Sequence, residues 1–367
     1  MTTADIRLGI LQRVLTDYRV PFFDLLAERL PAGVSVAAGL PRPQEQIVVG
    51  IPHQADFHQL QNIHLLQGKL YLCRQNLVID WLDSWNPDVL IVEANPRYLS
   101  TAGAVRWMHR LDRPVIGWGL GSPVGNGMRA VWRRRFINQF DALLTYSRRG
   151  KDQYAAAGIA PKKIFVAPNA ASFRPIGDPP KRENGFRENR GEVIFVGRLQ
   201  ARKRVDLLLK ACAALPDVLQ PRLTIIGDGP ERNALCTLAA QIYPQAVFSG
   251  DQRGVALQAL FLRADVFVLP GTGGLALQQA LGFALPAIAA EGDGTQADLI
   301  GPKNGWLVEP GNLESLQAAL KEALQDPITL RKKGLASFRI VHDEINLESM
   351  ADGFISAIEY VAKDNSK

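Results

Sequence analysis

Arg198 and Lys203 are the residues whose placement points most directly to chemistry. They follow Val193–Val196, an apolar run of strand length ended by Gly197, and they precede Val205, Leu207, Leu208 and Leu209, which open an apolar helical face. Open parallel sheets bind ligands beyond the carboxyl ends of their strands. Two cations placed there, with a helix N-terminus nearby, make a site for an anion such as a diphosphate. Taken alone, the segment also reads as a basic surface loop.

Three further segments repeat the order of strand, glycine turn and helix start. IIGDGPE (225–231) carries Gly229, where glycine permits close backbone approach to a ligand; as a nucleotide fingerprint it is weak, because such turns also serve packing. PGTGGLALQQA (270–280) places Gly273, Gly274 and Leu275 where a helix begins, so that free N–H groups there cradle a phosphate. The bland reading is a tight connection to a buried helix. AAEGDGTQ (289–296) offers the carboxylates of Glu291 and Asp293 to sugar or ribose hydroxyls, or simply forms a polar turn.

The first half is less legible. Arg13 and Arg19 lie in the loop after the first apolar run and either contact a phosphate or acidic acceptor or are merely exposed. Glu93, Asn95 and Arg97 follow one later strand pattern, and Trp118 ends the next; both fall where acceptor loops belong. MRAVWRRRFINQF (128–140) is a basic helical pattern with Met128, Trp132, Phe136 and Phe140 on one stripe. Its ordinary reading is a helix packing that stripe on its own sheet. A basic amphipathic helix with a Trp also suits an anionic membrane surface, which would fit a lipid-linked acceptor.

The elements that must position these residues alternate between short β-rich runs and helical patterns. Strands are expected at 7–11, 34–38, 89–93, 114–118, 142–146 and 164–167, then at 193–196, 223–226, 246–248, 266–269, 287–289 and 306–308. That is the signature of α/β layers built on parallel sheets. Residues 266–290 carry no charge, but Pro270, Pro286 and the glycines make them strand, loop, helix and strand rather than a membrane span. At 367 residues the chain calls for two domains. They are expected at 1–174 and 192–340, joined by a Pro-, Gly- and charge-rich linker at 175–191. A helical segment at 341–367 would pack back on the first.

The net charge is +6, with cations crowded between Arg129 and Lys163. That suggests phosphate groups or an anionic surface; no nucleic-acid module motif is present, and nucleic acid is not expected as a partner. Three scattered cysteines argue for a reducing, cytoplasmic compartment, and the start of the chain has no signal-peptide pattern.

Taken in order, VGRLQARK, IIGDGPE, PGTGGLALQQALGFALPAI and NGWLVEPGN (304–312) resemble the C-terminal domain of the retaining GT-B nucleotide-sugar glycosyltransferases called group 1 or family 4. The resemblance runs over roughly residues 141–325, about half the chain. It implies two Rossmann-like domains facing each other across a cleft, the second binding a nucleoside diphosphate sugar and the first a glycan or lipid-linked acceptor. Arg198 and Lys203 would neutralise the leaving diphosphate, so no metal or other cofactor is expected. The family carries two glutamates eight positions apart, one for donor-sugar hydroxyls and one for the ribose diol. Matched through Pro286, they are Gly271 and Gln279 here. Gln279 can still hydrogen-bond a diol, and Glu291 or Asp293 can stand in for the other. The alternatives are an inactive nucleotide-sugar-binding relative and a GT-B nucleotide-sugar epimerase.

Overall fold

The computed structural model describes residues 3–364, apart from 46, 123, 124 and 126, together with all side chains in that range except those of Thr3, Lys69, Arg129 and Asp364. The chain divides into two compact units. The first contains residues 1–171 and 347–367, the second residues 172–346.

The first unit is built on a seven-stranded parallel sheet. Its strands are β1 (Leu8–Val14), β2 (Val34–Gly39), β3 (Asp56–Gln59), β6 (Val89–Glu93), β7 (Val115–Gly119), β8 (Ala142–Thr145) and β9 (Ile164–Val166), in the order β3-β2-β1-β6-β7-β8-β9. A separate antiparallel hairpin pairs β4 (Gln61–Leu65) with β5 (Leu72–Asn76). Both faces of the large sheet are covered. Helix Val20–Arg29 and the last helix, Leu347–Asp364, cover one face through Phe22, Phe23, Phe354 and Ile358. Helices Val78–Trp85 and Thr101–His109 cover the other through Trp81, Leu82, Val105 and Met108. Strands buried on both sides read as continuous apolar runs, which is why this sheet is visible in the sequence.

The second unit holds a six-stranded parallel sheet. Its strands are β10 (Glu192–Val196), β11 (Arg222–Ile226), β12 (Val247–Phe248), β13 (Val266–Leu269), β14 (Ala287–Ala290) and β15 (Gly305–Val308), in the order β12-β11-β10-β13-β14-β15. In both units the strand order reverses at the first strand: between β1 and β6, and between β10 and β13. A crevice opens at such a switch point beyond the carboxyl ends of the strands. Arg13 and Glu93 lie at the carboxyl ends of β1 and β6, and the loops that leave β10 and β13 carry Lys203 and Gly273.

All twelve expected strands are present, with no end shifted by more than three residues. The segment 175–191 is not a free connector. Arg182 donates to the carbonyls of Phe261, Leu262, Ala264 and Phe283, which fastens this segment to the second unit.

Candidate functional site

In the second unit, the loop leaving β10 is held by the loop leaving β11. Leu199 N–H donates to Asp228 O (2.8 Å), and Glu231 N–H donates to Leu199 O (3.0 Å). Gly229 is required by this contact, since a Cβ there would lie 2.3 Å from the Leu199 carbonyl oxygen. Its close backbone approach is therefore to Leu199 rather than to a ligand. Gly197 N–H donates to Ile226 O (3.0 Å) and ends β10.

The loop leaving β13 leans on the same segment. Thr272 N–H donates to Arg202 O (3.1 Å). A Cβ on Gly271 would lie 2.2 Å from Arg202 O and 2.5 Å from the Lys203 carbonyl carbon. No side chain fits at 271 without a shift of that backbone. Gly273, at φ +77°, is different: a Cβ there would meet only the ends of two cations, 3.2 Å from Arg202 Nη1 and 3.4 Å from Lys203 Nζ. Gly274 precedes helix Leu275–Gly282; Leu277 N–H donates back to Gly274 O (3.0 Å), and the N–H groups of Leu275 and Ala276 begin the helix without an i−4 carbonyl inside it. Backbone donors and a buried ammonium thus meet at Gly273.

Lys203 is 7% exposed, and its ammonium has no hydrogen bond or ion pair among the described residues. Burial, and then the neighbouring charge of Arg202, lower its pKa to about 8. The Arg198 guanidinium is half-buried and likewise without a partner among the described residues. Arg204, by contrast, pairs with Asp206 (3.0 Å). An uncompensated buried cation is costly and becomes favourable when an anion arrives.

Gln279 is exposed and borders a largely apolar cavity of about 440 Å³ between helices Gly254–Arg263 and Leu275–Gly282. Its neighbour Gln278 is buried and donates to Ile345 O, a structural contact. Asp293 accepts from the backbone N–H and the hydroxyl of Thr295, so it holds the start of helix Thr295–Leu299. Glu291 is exposed in the loop leaving β14.

In the first unit, the cations have partners. Arg13 Nη1 donates to Glu45 (2.9 Å), and Arg42 donates to the other Glu45 oxygen (3.0 Å). Burial works against both charges of the Arg13–Glu45 pair, but the mutual hydrogen bond prevails: Arg13 is pushed above its usual range and Glu45 held at about 2. Glu93 accepts from Arg13 N–H, and burial, partly offset by Arg13, raises its pKa to about 7. Asn95 Oδ1 accepts from Arg97 N–H and shapes the loop leaving β6. Arg97 is exposed.

Two expected acceptor residues are architectural instead. Arg19 is 6% exposed; it donates to Ala170 O, Asn169 Oδ1 and Met350 Sδ and lies over the rings of Tyr18, Trp118 and Tyr146. Trp118 is buried against Phe354 and Tyr146 at 4.9 and 5.1 Å between ring centroids. Both side chains lie inside the core that the last helix completes, out of reach of an acceptor.

The family model for glycosyl transferases group 1 matches residues 178–335. A GDP-mannose-dependent alpha-mannosyltransferase of Mycolicibacterium smegmatis is 31% identical over 283 residues, covering 72% of this chain and 71% of the relative. The chain belongs to the group 1 glycosyl transferases.

A second relative from that organism, a GDP-mannose-dependent alpha-(1-6)-phosphatidylinositol monomannoside mannosyltransferase, is 27% identical. The match covers 61% of this chain and 64% of the relative. Among solved structures, Anabaena HepE in complex with UDP superposes with a TM-score of 0.71 at 14% identity, over 97% of this chain and 100% of the other. This glycosyl transferase therefore has the GT-B fold of two Rossmann-like units.

The structure brings Lys203 and Gly273 together at the start of the helix that Gly274 and Leu275 open. It adds Arg202, whose guanidinium reaches Gln200 Oε1 and Thr272 O. The signal for Arg202 was its place beside Lys203 after a strand. The ion-pair cluster of Arg13, Arg42 and Glu45 has no local signal, since its members come from different loops. The basic helix also departs from its ordinary reading. The stripe splits: Phe140 is buried and Phe136 half-buried, whereas Met128 and Trp132 are 88% and 60% exposed. The side chain of Arg129 lies outside the described residues.

Proposed function

We propose that this glycosyl transferase moves a sugar, with retention, from a nucleoside diphosphate sugar bound by the second unit to a glycan or lipid-linked acceptor bound by the first. The observation that carries the reading is the buried Lys203 ammonium, without a partner among the described residues, against Gly273 at the switch point of the second sheet. Arg198 and Lys203 stabilise the diphosphate as negative charge builds on its leaving oxygen, the charge distribution such donors stabilise most in the transition state. The bond from the sugar's anomeric carbon to the diphosphate oxygen breaks, and a bond to the acceptor oxygen forms. The acceptor proton passes to the departing diphosphate oxygen, so no side-chain base is required. Two side-chain cations at the diphosphate supply the positive charge, and no metal ion is proposed.

Backbone N–H groups at Gly274 and Leu275 hold phosphate oxygens. Gln279 bonds the ribose diol, and the cavity it borders is within the size range of small-ligand pockets. Glu291 serves the donor sugar in place of a residue at 271. The GDP-mannose-dependent relatives make GDP-mannose the first donor to test. Arg13, Glu93, Asn95 and Arg97 form the acceptor side, and the helix within 128–140 meets the membrane that carries a lipid-linked acceptor. Among the described residues no helix is long and apolar enough to cross a membrane, and the three cysteines are free thiols, in keeping with a cytoplasmic site at the inner membrane face.

A second reading, a nucleotide-sugar-binding protein without transferase activity, is favoured only by the closed space at Gly271. A thermal-shift panel of GDP-, UDP-, ADP- and TDP-sugars, followed by release of nucleoside diphosphate with and without a chelator, separates the two. A shift with turnover unaffected by the chelator supports the transferase. A shift with no turnover on any acceptor supports the second reading, and no shift at all refutes both.

A further inference from the structure

The first unit leaves a continuous apolar and basic edge uncovered. The β4–β5 hairpin exposes Leu65, Leu66 and Leu70 near its tip, at 40%, 60% and 71%. Leu66 sits at φ +58°, a left-handed conformation in which folding alone favours glycine or asparagine over leucine. From the hairpin the edge continues through main-chain hydrogen bonds. Cys73 N–H donates to Arg97 O (2.9 Å), and Leu99 N–H donates to Cys73 O (2.8 Å), so the 97–99 segment runs alongside β5. Arg97 then shares a cavity of about 620 Å³ with Pro96, Met128, Trp132 and Arg133. Hairpin, segment and basic helix are thus neighbours in sequence-distant but contiguous order.

The segments that make this edge carry charge of one sign. Residues 61–76, 94–110 and 117–140 contain no Asp or Glu, while Arg74, Arg97, Arg133, Arg134 and Arg135 fall within them. A second copy of the chain would set like charges against each other, and a purely anionic polymer leaves the exposed Leu, Met and Trp side chains in water. An anionic bilayer satisfies both: arginines at the headgroup phosphates, apolar side chains below them. We propose that the first unit docks on an anionic lipid bilayer through the β4–β5 hairpin tip, the Arg97–Leu99 segment and the helix Met128–Ile137 together. The proposal rests on the membrane reading of the helix given above and adds a second insertion point, which fixes the orientation of the unit on the surface as a lone helix would not.

The test uses the full chain and sedimentation with vesicles of phosphatidylcholine alone or mixed equally with phosphatidylglycerol. Binding to the mixed vesicles only, falling at high salt, is expected. Leu66→Asn with Leu70→Asn should weaken it about tenfold, and Trp132→Ala by a similar factor. The Trp132 emission should shift to the blue on binding, a change absent in Trp132→Phe. All these side chains are exposed, so unchanged circular dichroism and an unchanged thermal shift with the donor panel will show that each variant is folded and that the donor site is intact. Equal binding to both vesicle types, or no binding to either while the donor shift persists, would overturn the proposal without touching the transferase reading. Binding by the hairpin variant at the wild-type level would overturn the two-point docking.

Discussion

In the first unit Arg13 and Arg42 share the Glu45 carboxylate, and Arg19 is enclosed by a carbonyl, an amide, a thioether and three aromatic rings. In the second unit Lys203 and Arg198 occupy the equivalent position at a strand switch point and meet no acceptor among the described residues. Residue type and position on the sheet are alike in the two places. What separates architecture from a binding function is whether the protein itself supplies the counter-charge. A cation already satisfied has little left to offer a ligand, whereas one held unsatisfied in a buried setting is prepared for an anion before it arrives.

The comparison breaks first on activity. Lys203→Ala or Arg198→Ala should lower kcat by about two to three orders of magnitude, the usual cost of removing a preorganised transition-state donor. Steady-state rates on the donor identified by thermal shift test this, and an unchanged rate in either variant removes that cation from the mechanism. Arg19→Leu should do the reverse. It leaves Asn169 and Ala170 unpaired and should cost about 2–4 kcal/mol in urea unfolding, with kcat per folded molecule retained.

Two smaller effects sharpen the contrast through pH. The protonated form of Lys203 binds the diphosphate, so donor affinity should be constant below pH 8 and fall above it. The expected slope approaches about tenfold per pH unit until the complex itself titrates. Isothermal titration at several pH values measures this, and Lys203→Met should flatten the profile. Glu93 works through stability. Its folded-state pKa, about 7, lies above the ordinary 4.5. The contribution is therefore fully present below pH 4.5 and is lost as pH rises through 7. Glu93→Gln retains the acceptor for Arg13 N–H and should be more stable than the parent by about 3 kcal/mol at pH 8, and equal to it at pH 4, by urea unfolding.

The sheets were legible because strands such as Val266–Leu269 and Ala287–Ala290 are buried along their whole length and read as unbroken apolar runs. Strands β3, β4 and β5 were not. DFHQ, QNIHL and LCRQN mix polar and apolar residues and lie at an edge or in a lone hairpin, and β3 and β4 present half or more of their residues to solvent. At the candidate site, Lys203 and Gly273 were found from their place after a strand. The error over Arg19 had a different source: its partners Asn169 and Met350 are 150 and 331 residues away. A cation's local sequence carries its position on the sheet but not the identity of a distant acceptor.

The packing at Gly271 closes one route of change. Introducing a glutamate there would drive its Cβ into the carbonyl of Arg202 and the backbone of Lys203. A substitution made to supply the acidic residue that the resemblance leads one to expect there would dislodge the cation it is meant to work with. Any path back to a paired glutamate, by evolution or by design, must first lengthen the turn between Leu269 and Gly274, and only then change the residue.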